Sequence, residues 1–170
     1  MRLVAILMLS TVLTVPLPLL AQSHDDHSHG AAREDSAFRA MQGRGFVVMG
    51  VNQYTSVHRF DALPNGGRIE LQRDRDDSTG TAAIRAHLRA IARAFANGDF
   101  TAPADVHAET VPGVPVMRAR RAAIRYDVSD LPRGAELRIR STDPVAVEAI
   151  RGFLAYQRQE HRTGSSAHAP

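Results

Sequence analysis

One pattern of residues occurs twice in the same order, and it limits the folds open to this chain more than any other feature. Arg59-Phe60-Asp61, Leu63-Pro64, Gly66, the alternating Ile69/Leu71 and Ala83-Ile84-Arg85-Ala86-His87-Leu88 come first. Arg125-Tyr126-Asp127, Leu131-Pro132, Gly134, Leu137/Ile139 and Ala149-Ile150-Arg151-Gly152-Phe153-Leu154 follow. Each occurrence reads as strand, turn, strand, helix. In the first, Asn65-Gly66 is a strong hairpin signal, and Asp76-Asp77-Ser78-Thr79-Gly80 leads into a helix running to about Ala96, capped by Asn97-Gly98. Ile84, Leu88, Ile91 and Phe95 make its apolar stripe, with Arg85, Arg89 and Arg93 on the other side. A single ββα unit of about 40 residues leaves sheet uncovered at its edge, so two units side by side share one core. The expectation is an α+β fold: a duplicated ββα unit forming a four-stranded, mainly antiparallel sheet with two helices on one face. The halves, about 55–97 and 123–161, lie in a single domain over 45–164 and are joined by a Pro-rich loop, 98–121.

Period-two alternation assigns the sheet faces. His58, Phe60, Ile69, Leu71, Ile124, Tyr126, Leu137 and Ile139 point toward the helices. Arg59, Asp61, Arg68, Glu70, Arg125, Asp127, Glu136, Arg138 and Arg140 point away. That outer face reads as a lattice of cross-strand ion pairs, or as a platform for an anionic partner. All 21 basic residues among the 170 are Arg, and the formal net charge is only +3 with acidic residues interleaved, so no nucleic-acid footprint is indicated.

The first residues stand apart. Arg2 supplies a positive start, Leu3 to Val15 an apolar run, and the stretch to Ala21-Gln22-Ser23 the small residues of a cleavage region. Residues 1–21 therefore read as a signal peptide, which places the mature protein in the periplasm or outside the cell. The prolines and the short span argue against a stable membrane helix. With no Cys in an oxidising compartment, stability must come from the core alone. Residues 22–44 read as a flexible His- and Asp-containing tail with at most a turn or two of helix at Ser36 to Gln42. Phe46-Val47-Val48-Met49 reads as a short strand or partly buried segment, and 165–170 as a disordered end.

Residues able to carry chemistry are mostly histidines. His58 and His87 stand where the second copy has Ile124 and Phe153, and a buried polar ring needs a partner: a metal, a carboxylate or a carbonyl. The joining loop adds His107 and Met117, and Met49 precedes His58. Imidazole and thioether together suit a copper ion and, less selectively, Zn. In the tail, His24, His27 and His29 form a second candidate metal site; cleavage after Ala21 would also place His24 third in the chain, suited to Cu(II) or Ni(II). His161 is expected at a helix C-terminus, where its positive charge is favourable. Arg118, Arg120 and Arg121 could hold an anion bidentately, or form a surface cluster. No Gly-x-Ser-x-Gly elbow, P-loop, His-Glu-x-x-His or dinucleotide fingerprint occurs.

The run Gly50-Val51-x-Gln53-x-Thr55-x-x-His58-x-Phe60, with Gly66-Gly67-x-Ile69, Ile84-Arg85-x-His87-Leu88, Phe95-Ala96-x-Gly98-Asp99-Phe100, His107, Val111-Pro112-Gly113-Val114-Pro115-x-Met117, Ile124-x-Tyr126 and Phe153-Leu154-x-x-Gln157-x-x-x-His161-x-Thr163-Gly164, resembles a family of small exported bacterial proteins without an established activity. The resemblance covers about 48–164. It implies that His58, His87, His107, Met117 and His161 belong to the family's pattern. Some members carry an aspartate carbamoyltransferase label, yet this chain lacks the Ser-x-Arg-Thr carbamoyl-phosphate loop. Ala104-Asp105-Val106 departs from the more hydrophobic residues of relatives.

Three functions follow as expectations. The first is an exported periplasmic, non-enzymatic, copper-handling protein, with His58, His87, His107, Met117 and Met49 as core ligands and the tail as an auxiliary site. The second is a periplasmic protein-interaction or small-ligand module with structural histidines. The third is an enzyme of unrecognised type.

Overall fold

The computed structural model describes residues 25–50 and 53–163, with side chains from Asp35 onward except that of Gln53. The expected signal peptide, His24 and the C-terminal end lie outside the described residues. The elements run α1 (Asp25–Met49), β1 (Ser56–Leu63), β2 (Gly66–Arg73), α2 (Ser78–Ala96), α3 (Thr101–His107), α4 (Val114–Ala119), β3 (Ile124–Leu131), β4 (Gly134–Ser141) and α5 (Pro144–Glu160). The fold is α+β, with one antiparallel four-stranded sheet in the order β1-β2-β4-β3.

Local chemistry accounts for the boundaries. Pro64-Asn65 and Pro132-Arg133 turn the two hairpins, and the second strand of each resumes at a glycine. Gly134 sits opposite Gln72 at the sheet centre, where a Cβ would run into the Leu71 carbonyl oxygen. Asp77 caps α2 by accepting the Gly80 N–H at 2.9 Å, and Asp143 caps α5 by accepting the Val145 N–H at 2.9 Å, with Pro144 opening the helix.

Each helix covers the other unit's hairpin. α2 lies chiefly on β3 and β4, whereas α5 lies on β1 and β2. A matched pair of arginines ties this exchange. Arg85 of α2 donates to the Gly134 and Leu131 carbonyls at 3.0 and 2.7 Å, and Arg151 of α5 donates to the Leu63 and Pro64 carbonyls at 3.2 and 3.0 Å. Neither helix packs chiefly on the hairpin that precedes it in sequence. The two units also differ in length between hairpin and helix. β2 hands over to α2 through 74–77, whereas β4 reaches α5 through 142–143 alone. With the turns matched, His58 corresponds to Tyr126 rather than to Ile124.

The core forms between sheet and helices from Ile84, Leu88 and Phe95 on one side, Ile150, Phe153 and Leu154 on the other, and Phe60, Leu71, Leu137 and Ile139 below. The expected inward residues are buried or half-buried, as alternation requires. On the outer face, Arg68 pairs with Asp61, Glu70 and Glu136, Arg138 with Glu136, and Arg140 with Asp127. These charges largely satisfy one another.

Two stretches differ from expectation. Residues placed in a flexible tail, and the segment Phe46 to Met49, form the single helix α1. Its buried positions Met41, Gln42 and Gly45 follow helical spacing, but only one of the three is strongly apolar, so the stripe carries no hydropathy signal. Tertiary anchors hold it: Arg44 Nε donates to the Val106 carbonyl at 2.7 Å, Asp35 pairs with Arg162 at 3.0 Å, and the Arg162 guanidinium stacks over Phe38 at 4.3 Å. The expected irregular loop 98–121 contains α3 and α4. Two of its three prolines fall in first helical turns, Pro103 in α3 and Pro115 in α4, where the missing N–H costs no intrahelical bond, and Pro112 precedes α4.

Candidate functional site

Alternation on β1 turns His58 inward, opposite Leu71 in the β1–β2 ladder. α2 brings His87 toward the same place, α3 ends on His107, and α5 is capped by His161. These four histidines, with Met49 from α1 and Gln157 from α5, line one cavity of about 80 Å³ whose remaining wall is mainly apolar. The ring centroid of His161 lies 5.8 Å from that of His58 and 5.3 Å from that of His107. His58, His107 and His161 are 7%, 9% and 6% exposed.

Burial dominates the electrostatics. It lowers the His58 pKa from 6.5 to about 4, with His87 adding a smaller repulsion. It lowers His161 from 6.5 to about 3, with repulsion from His58 and then His107. His87 is lowered by burial alone. His107 is also lowered by burial, against an opposing hydrogen bond from Gln157 and the nearby Glu160 and Glu109. Buried rings in this state are neutral at pH 7, and a neutral imidazole keeps one nitrogen lone pair. His107 Nε2 lies 3.0 Å from Gln157 Oε1. An amide oxygen only accepts, so Nε2 carries the proton and the lone pair resides on Nδ1. His58 Nε2 lies 3.1 Å from Ser56 Oγ.

The matching positions of the other unit show what is unusual here. Counted from the hairpin turns and from the helix caps, His58, His87 and His161 correspond to Tyr126, Phe153 and Phe95. Those three form an aromatic cluster, with Phe95 6.0 Å from Tyr126 and 5.9 Å from Phe153. Where one unit has packed aromatic rings the other has imidazoles around a space, and Phe95 and Phe153 of the aromatic cluster also border that space.

The sequence-derived ligand set is partly brought together. His58, His87, His107 and Met49 share the cavity. Met117 does not line it: its side chain is 0% exposed on α4 in the apolar core, where it is packing rather than a donor, and it is removed from the set. His161 enters instead. The expected role for it, a cation favouring a helix terminus, is corrected because burial keeps the ring neutral. Gln157 gave no sequence signal beyond its place in the quoted pattern. His27 and His29 fall on α1. Arg120 of the arginine group is taken by Asp143 at 2.5 Å, and Arg118 donates to the Gly98 carbonyl at 3.0 Å. Among the described residues, no group of three or more His, Asp or Glu side chains is placed so that it could hold a metal ion. Comparisons of the chain with protein-family models, curated proteins and solved structures gave no match.

Proposed function

We propose that this chain is an exported, periplasmic, non-enzymatic metal-binding protein that holds a copper ion in the histidine cavity. The observation that carries the reading is the clustering of neutral imidazoles around one small space, at positions that the matching unit fills with Tyr126, Phe153 and Phe95. Burying polar rings where apolar ones would pack costs stability, and a bound cation recovers that cost by using their lone pairs. His58, His107 and His161 are the principal donors, and His87 and Met49 complete a set of imidazoles and one thioether suited to Cu(I) and Cu(II). Gln157 supports the reading as the hydrogen-bond partner that fixes the His107 tautomer and leaves Nδ1 free to bind a metal. The N-terminal histidines His24, His27 and His29, the last two on α1, serve as an auxiliary capture site.

Titration of the purified mature protein with Cu(I), Cu(II) and Zn(II), beside a form lacking 22–30, tests the proposal. Tight copper binding persists in the shortened form and is lost in His58→Phe and His161→Phe. Binding confined to the tail, or unchanged in both phenylalanine variants, refutes it.

A further inference from the structure

Gln157 has a second half that the histidine bond does not use. Its Nε2 has no hydrogen-bond partner, although the side chain is 5% exposed and lines the cavity. A buried amide N–H without an acceptor is uncommon and destabilising, and it commonly marks a place for a solvent molecule or ligand. The surrounding wall offers no substitute: Phe60, Leu71, Leu88, Ile91 and Phe153 are apolar. The Glu70 carboxylate is engaged with Gln72 at 2.8 Å and with Arg68 at 3.7 Å. Imidazoles that give their lone pairs to a metal no longer accept. The acceptor must then belong to the occupant of the cavity.

Building on the metal reading above, we propose that the bound ion keeps one exchangeable coordination position, taken by a small anion or water that accepts a hydrogen bond from Gln157 Nε2. Size agrees with this. A space of about 80 Å³ has room for an ion and a small ligand. His107 also lines a neighbouring cleft bordered by Arg44 of α1 and by Glu109, Glu160 and Arg162. The matching position to Gln157 in α2 is Ile91, so this donor has no counterpart in the other unit.

The test uses azide on the Cu(II)-loaded full-length protein, read by the azide-to-copper charge-transfer band. In the parent chain the band appears and saturates. Gln157→Glu keeps the acceptor that fixes the His107 tautomer but replaces the free donor with an oxygen, so azide affinity per bound copper, measured after loading has been verified, falls at least about tenfold. Gln157→Asn withdraws the amide without adding charge; it weakens copper loading through the lost His107 bond and lowers azide affinity of the copper that is bound, which keeps the test open if the glutamate variant unfolds. Absence of the band on loaded parent protein overturns the proposal, as does equal azide affinity in parent and variants. A flat copper titration refutes the metal reading and this proposal with it. Bound copper that ignores azide refutes only the exchangeable position.

Discussion

Acid destabilises the metal-free protein through the same histidines, and the size of the effect follows from their burial. The folded pKa values of His58 and His161, about 4 and about 3, lie below the ordinary 6.5 that the unfolded chain shows. The unfolded state therefore binds more protons between those values. Stability is fully present above about pH 6.5 and drains away as pH falls through the folded pKa values. At about pH 5 an unfolded imidazole is nearly all protonated while the folded ring is still neutral, a difference of about 2 kcal/mol per histidine and about 4 kcal/mol for the pair. That figure hardly depends on how low the folded values lie, because pH 5 is above both. The groups acting on His161 are His58 on β1 and His107 on α3, with His87 of α2 acting on His58, and Glu109, Glu160 and Arg44 acting on His107. Comparison with His161→Phe isolates one ring from this set. Denaturant unfolding followed by circular dichroism, in chelator, at about pH 7.5 and about pH 5, should show the parent losing about 2 kcal/mol more than the variant, at unchanged m. Equal losses in the two proteins, or a parent whose stability is flat across the interval, would refute buried neutral imidazoles as the cause.

Other outcomes follow from the packing. Met117→Ala opens a hole in the apolar core and should cost about 2–5 kcal/mol in denaturant unfolding, while copper affinity measured by competition stays within about threefold of the parent. Loss of copper binding in a folded Met117→Ala protein would return the thioether to the ligand set. Arg85→Met and Arg151→Met each remove two bonds to carbonyls at the opposite hairpin's turn and should each destabilise by about 1–3 kcal/mol in the same assay. The two losses should add, because the arginines hold different turns and share no partner.

Much of the scaffold was legible in the sequence because it rests on local rules. Asn65-Gly66 marked a turn, alternation around His58, Phe60, Leu137 and Ile139 marked faces, and Ile84, Leu88 and Phe95 marked the buried side of α2. What was not legible depends on distant parts of the chain. α1 buries Met41, Gln42 and Gly45, and its position is fixed by Arg44 reaching Val106 and Asp35 reaching Arg162, none of which a hydropathy pattern reports. The site was half visible. Inward imidazoles at His58 and His87 follow from strand and helix periodicity. His161 sits one residue past α5, where a terminal charge is the ordinary expectation, and only the crosswise path of α5 over β1 and β2 carries it to His58. Met117 was misassigned because a methionine near a histidine in sequence says nothing about which side of a short helix it takes.

The exchange of covers between the two units has a consequence for synthesis. When a ribosome has released the first hairpin and α2, the surface that will shelter that hairpin is still uncoded into peptide, since α5 is the last helix made. Neither half is a finished object on its own. Two polypeptides produced by cutting between α3 and α4 should each stay unfolded when separate and recover the native circular dichroism spectrum only when mixed.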